Sequence, residues 1–157
     1  MEDLILGGEV ELEKTQFIVI RIGDEQYGID IKYVDNIVRM QKITRVPDVQ
    51  HYFEGVINLR GEVVPVMNLR RKAGLPDVEF TKDTRIIIIK LENNAPIGIV
   101  VDAVKEVVTL TSAEIEYTTK GIAHSGQVTF INGIGKCNNS LISLLDLNAV
   151  ISDKEAM

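Results

Sequence analysis

This 157-residue chain echoes itself, and that echo restricts its fold more than any other feature. The segment Tyr27-Gly28-Ile29-Asp30-Ile31-Lys32-Tyr33-Val34-Asp35-Asn36-Ile37-Val38 lies without a gap over Ile97-Gly98-Ile99-Val100-Val101-Asp102-Ala103-Val104-Lys105-Glu106-Val107-Val108, at an offset of 70. The two glycines coincide. So do Ile29 with Ile99, Ile31 with Val101, Val34 with Val104, Ile37 with Val107 and Val38 with Val108. The likeness extends backward at an offset of 69, where Phe17 to Ile22 and Ile86 to Leu91 are apolar strands leading into Gly23-Asp24-Glu25-Gln26 and Glu92-Asn93-Asn94-Ala95-Pro96. Both of these segments are rich in residues that tolerate chain reversal. Forward, Val56-Ile57-Asn58 resembles Phe130-Ile131-Asn132, and the arm ending at Leu69 resembles Leu141 to Leu147. A duplication accounts for all of these matches. Each half carries about five short strands within ~70 residues, a density that suits a small barrel or sandwich.

Within the first half, Gly55 to Leu69 places Arg60-Gly61 between two apolar arms. β-branched residues stiffen the arms toward extended structure and Gly61 permits a tight turn, so the stretch reads as a β-hairpin presenting Arg60 at its bend. A rigidly held guanidinium fork is suited to a carboxylate partner. The other basic residues nearby, Arg70, Arg71 and Lys72, read equally well as solvated charges.

Helix is scarce. Pro47 to Phe53, closed by Gly55, has the proline and glycine placement of a one- or two-turn helix; Thr111 to Ile115 reads as a capped turn, and Leu144 to Ile151 as a short closing helix. A ~70-residue barrel is marginal alone, so the two copies are expected to lean on each other. Lys72 to Asp83, interrupted by Gly74, Pro76 and Asp77, reads as the linker between them. The expected division is an N-terminal arm at 1–14, a first β-subdomain at 15–80, a second at 84–151 with the closing helix, and a tail at 152–157.

The balance of 23 acidic against 17 basic residues, net −6, opposes a general nucleic-acid binder and so disfavours an RNA-associated small-barrel module. Cys137 is the one cysteine, and Met1-Glu2-Asp3 puts acid where a secretory signal carries positive charge, so a cytoplasmic location is expected. The longest apolar runs, such as Ile86 to Ile89, fall far short of the ~20 residues that span a bilayer. Catalytic groups are sparse. His51 and His124 lie in different halves without zinc-site spacing, and Cys137 sits in an expected turn. Gly133-Ile134-Gly135-Lys136 lacks the spacing and the Ser/Thr of a phosphate loop and reads as a hairpin turn. The acidic residues Asp30, Asp35, Asp102 and Glu106 read as a solvated polar face. The chain is expected to be no enzyme and to need no metal or cofactor.

These same residues resemble the CheW family, the coupling proteins of bacterial chemotaxis that link receptors to the histidine kinase CheA. The resemblance rests on Phe17 to Ile22, Tyr27 to Ile31 with Val34 and Ile37, Arg45-Val46-Pro47, Glu54 to Gly61 running into Val64 to Leu69, Ile97 to Asp102 with Val104, and Leu141 to Leu147. It implies a mainly β protein of two tandem SH3-like five-stranded barrels packed side by side, with a few short helices. It further implies a non-catalytic adaptor, recruited to membrane receptor arrays, that binds the kinase regulatory domain and the cytoplasmic tips of methyl-accepting chemoreceptors. An adaptor of CheV type, or the kinase's own regulatory module, is the related alternative. Carried over by position, Ile18, Ile31 and Val34 correspond to kinase contacts, and Asn36, Arg60, Gly61, Ile86, Ile87 and Gly98 to the receptor side. Many relatives carry glutamate where this chain has Asn36, at a position associated with pairing to the hairpin arginine. The resemblance therefore implies that Arg60 lacks its usual intramolecular anion.

Overall fold

Strand-forming runs dominate the architecture. The computed structural model describes residues 12–92, 95–117 and 130–151. In order these form β1 (Lys14–Ile22), β2 (Glu25–Asp30), a 3-10 turn (Ile31–Tyr33), β3 (Val34–Arg39), β4 (Phe53–Leu59), β5 (Glu62–Asn68) and α1 (Leu69–Lys72). There follow β6 (Arg85–Ile89), β7 (Ile97–Val101), β8 (Ala103–Thr111), a second 3-10 turn (Ser112–Glu114), β9 (Ile115–Tyr117), β10 (Ile131–Cys137), β11 (Ser140–Leu145) and α2 (Leu147–Ile151). Most of the expected arm, the tail 152–157 and His124 lie outside the described residues.

Two sheets result, one ordered β8-β1-β2-β11-β10-β9 and one ordered β3-β6-β7-β5-β4. The expected division at 80–84 is therefore not how the sheets divide. Hairpin β1–β2 leaves its own half to join β8 to β11, and hairpin β6–β7 joins β3 to β5. Under the repeat, β1, β2, β3, β4 and β5 correspond to β6, β7, β8, β10 and β11, so the two sheets have the same order with their first hairpins exchanged. The alternating side chains of β1 and β6 explain why exchange is stable. Phe17 and Val19 enter the core of the six-stranded body, while Ile18, Ile20 and Ile22 enter a larger core shared between bodies. Ile86 and Ile88 fill the five-stranded body, while Ile87 and Ile89 face the shared core. Burying each such isoleucine stabilises the fold by roughly 1.5–3 kcal/mol, so these two strands serve two cores at once. That double burial is why their sequences are continuously apolar.

Each body is curled back on itself. β8 and β9, the two edges of the six-stranded sheet, are joined by one 3-10 turn, and Thr44, which follows β3, bridges Val56 on β4. Gly55 makes that closure possible. Its φ is +141°, and a Cβ there would stand 2.2 Å from the Thr44 carbonyl oxygen. The expected helix over Pro47 to Phe53 is absent because this glycine lies inside β4, where it lets two backbones touch, and ends no helix. Likewise Gly133 and Gly135 lie within β10, and the turn comes after them at Asn138-Asn139. The Thr111 capping box forms as the sequence predicts, whereas the closing helix α2 starts at Leu147 and not at Leu144, because Leu144 and Leu145 complete β11.

Candidate protein-interaction site

The two β-hairpins end alike. Arg60 and Gly61 have φ of +52° and +85°, and Asn138 and Asn139 have +50° and +66°, the paired positive values of a two-residue type I′ turn. The tips are 78 positions apart (60 and 138), so β4 and β10 align at 78 and not at the 74 that the Val56/Phe130 likeness suggests. At the register of 78, Tyr52 and Phe130 carbonyls accept from Asn68 and Asp146 N–H, both at 2.6 Å. Those residues in turn cap α1 and α2, accepting from Arg71 and Ala149 N–H. Just past each tip an apolar side chain stands in solvent: Val63 is 68% exposed and Leu141 66%.

Arg60 projects from its tip with its side chain 69% exposed, and its nearest anion is Asp35 at 3.8 Å. Arg60 lacks the expected anion at position 36 but has one at the residue before it, Asp35. Asn36 turns its Oδ1 to accept from Ile37 N–H. Asp35 belonged among the solvated acids on sequence grounds, and only its adjacency to Asn36 hinted at a substitute.

The nine residues carried over from the family separate by burial. Ile31, Val34 and Asn36 are partly exposed, and Arg60 and Gly61 are exposed. Ile18, Ile86, Ile87 and Gly98 are buried and offer no accessible side chain, so their role in this conformation is packing and not contact. Ile18 and Ile87 belong to the shared core, Ile86 to the core of the five-stranded body. Gly98 is where β7 runs parallel to β5, opposite Val66, and Gly28 is where β2 runs parallel to β11, opposite Leu144. Both are close-packing positions: an added Cβ would meet Ile86 Cγ2 at 2.7 Å or Leu144 Cδ2 at 2.9 Å.

Ile31 and Val34 flank one of two short junctions where the chain crosses between bodies. The first crossing is the 3-10 turn Ile31–Tyr33, started by Asp30, whose carboxylate accepts from Lys32 N–H. Beside it Lys32, Tyr33, Val34, Asp35, Lys90 and Leu91 line an open cleft of about 460 Å³. The second crossing is Asp102, between β7 and β8. At the first crossing Lys90 N–H donates to Tyr33 O, whereas at the second the junction residue itself donates, Asp102 N–H to Arg21 O.

The side chains at the second crossing were not foreseen. Asp102 accepts from Gly23 N–H at 2.7 Å and from both Nε and Nη2 of Arg70, the latter at 2.9 Å, while Arg70 Nη1 donates to the Pro76 carbonyl. The two side chains are only 13% and 16% exposed. Burial pushes the Asp102 carboxyl up, but the bonds from Arg70 and Gly23 and the charges of Arg70 and Arg21 outweigh it and hold it below the usual carboxylate range. The same bond raises Arg70. The sequence signal was available: within the aligned segments Asp102 falls opposite Lys32, a reversal of charge inside an otherwise matching frame. Arg71 is likewise tied down, to Glu54 at 3.3 Å, Asp77 at 2.9 Å and the His51 carbonyl. Arg60 is the one of these three arginines displayed to solvent.

Among the described residues no cluster of three or more His, Cys, Asp or Glu could hold a metal ion, and no helix is long and apolar enough to cross a membrane. Cys137 ends β10, partly buried, and His124 is not among the described residues.

Comparison with known proteins agrees with this geometry. The family model for the CheW-like domain matches residues 16–155. A chemotaxis protein CheW of Bacillus subtilis is 41% identical over 90% of this chain and 88% of its own length, and one of Helicobacter pylori is 34% identical over 88% and 82%. The crystal structure of the scaffolding protein TtCheW from Thermoanaerobacter tengcongensis matches with a TM-score of 0.79 at 31% identity, covering 89% of this chain and 94% of that one. With its paired β-bodies and its sequence matched nearly end to end, the chain belongs to the CheW-like family of chemotaxis scaffold proteins.

Proposed function

We propose that this protein is a cytoplasmic adaptor that couples chemoreceptors to the histidine kinase CheA by non-catalytic binding within membrane-associated arrays. The kinase regulatory domain docks against Ile31 and Val34, and the receptor tip against Asn36, Arg60 and Gly61. One observation carries the reading: of the nine positions matched to the family's contact residues, those five remain accessible, and they fall on the first crossing and the neighbouring hairpin tip. Ile18, Ile86, Ile87 and Gly98 act from beneath by holding these segments in place. Patches of this kind, a few apolar atoms rimmed by Lys32, Asp35 and Arg60, suit the small and reversible contacts from which arrays assemble.

Titration of the purified protein with the kinase regulatory domain tests the assignment. Saturable binding is expected, abolished or weakened at least tenfold by Ile31→Asp and retained by Arg60→Glu, which instead loses receptor-dependent kinase activation. Wild-type affinity in Ile31→Asp would remove the kinase face from this position.

A further inference from the structure

We infer that Arg70 and Asp102 are positioning residues whose ion pair latches one of the two junctions and so fixes the angle between the two β-bodies. Three parts of the chain meet at this pair. Arg70 belongs to α1, which continues from β5 of the five-stranded body; Gly23, whose N–H is bound by Asp102, turns between β1 and β2 of the six-stranded body; Pro76, bound by Arg70, lies in the connection that leads back to β6. Asp102 itself is the residue at which the chain passes from β7 to β8. Closing one carboxylate on a backbone amide of one body and a guanidinium of the other restrains rotation about that crossing, and the low exposure of both side chains keeps water from competing.

The duplication supplies an internal control. The residue equivalent to Asp102 at the first crossing is Lys32, and the residue equivalent to Arg70 on the closing helix is Asn148; both are exposed. The chain therefore crosses once with the latch and once without it. Its presence at one points to a fixed hinge at the second crossing and an open face at the first. The consequence for signalling rests on the adaptor reading above: the latch sets how the Ile31 and Val34 face stands relative to Arg60 and the rest of the molecule.

Distance measurement between spin labels tests this on the intact protein without any partner. Labels are placed at Val63→Cys in the five-stranded body and Thr109→Cys in the six-stranded body, both exposed positions, with Cys137→Ser removing the native thiol. A single narrow distance distribution is expected for the parent. Asp102→Asn should broaden or split it and speed hydrogen exchange at Gly23 N–H, while Lys32→Gln leaves both unchanged. Should Asp102→Asn fail to fold, Arg70→Gln, which leaves Asp102 bound to Gly23, carries the same expectation. A distribution in the folded variant that superimposes on the parent's overturns the latch. The kinase-domain titration separately tests the adaptor reading, so the two fail independently.

Discussion

The chain crosses between its bodies twice, once through the 3-10 turn Ile31–Tyr33 and once through the single residue Asp102, and the side chains at the two crossings do opposite things. At Asp102 the carboxylate is mostly withdrawn from solvent and already bound to Gly23 and Arg70. At Ile31–Tyr33 the corresponding Lys32 stands in solvent with its ammonium 5.1 Å from the Tyr33 ring, beside an open cleft. Duplication thus preserved the order of the strands while the residues at the two junctions diverged. One junction was closed for rigidity, and the other was left available for binding. The division follows from energetics: a charge pair can be buried only where every partner is supplied, and one supplied in full cannot also be offered to another protein.

The comparison breaks most decisively at Asp102. Asp102→Ala strands the Arg70 guanidinium in a largely buried site, and removing one member of such a pair costs about 3–5 kcal/mol. Lys32→Ala at the equivalent exposed position should change stability by no more than about 0.5 kcal/mol. Urea unfolding of the two variants reads the contrast directly, and equal costs would erase it. Acid probes the same pair. The Asp102 carboxyl is depressed in the folded state, so it adds stability that is fully present above its unfolded pKa of about 4 and is lost as pH falls through the lower folded value. Asp102→Asn should therefore flatten the decline of stability below about pH 4.

A smaller effect distinguishes the glycines next to the crossings. Gly98→Ala drives a methyl against Cγ2 of Ile86, a β-branched side chain with no exposed surface and little freedom to move. Gly28→Ala meets Leu144 at the far end of a longer and more adaptable side chain. Overpacking of this sort costs about 1–3 kcal/mol, with Gly98→Ala at the upper end and Gly28→Ala at the lower. Thermal denaturation that ranked them the other way would mean that the five-stranded body is the softer of the two.

Much of this was readable from residue order. The 70-residue echo, the Arg60-Gly61 hairpin and the strands at Phe17 and Ile86 all arise from local pattern and form where expected, and the closing helix forms three residues later than expected. What pattern cannot carry is pairing across distance. The strands of β1–β2 look the same whether they join their own half or the other, because continuous burial satisfies either arrangement. The exchange of hairpins was therefore invisible. Asp102 was misjudged for the same reason: an acid at a strand end is solvated or latched depending on a partner as far away as Arg70, 32 residues back. Gly55 misled by its type, since a glycine that ends a helix and one that lets Thr44 approach a strand are identical in one dimension.

The smallest predicted effect is the most exacting test of the asymmetry, because Asp35 and Arg60 are also a charge pair, and Asp35 lines the cleft of the open crossing. If that crossing is open, this pair must be weak. Its separation of 3.8 Å, with side chains 69% and 47% exposed, gives water and salt ready access. A double-mutant cycle with Asp35→Asn and Arg60→Gln should therefore yield a folding coupling below about 0.5 kcal/mol, and raising the salt to about 1 M should abolish it. The corresponding cycle on Asp102 and Arg70 should give several times that value and resist salt. A coupling above about 1 kcal/mol between Asp35 and Arg60 would mean that the first crossing is latched as well. Arg60 would then be held by its own body and not free to meet a receptor, and the contrast between the junctions would reduce to two locks built from different residues.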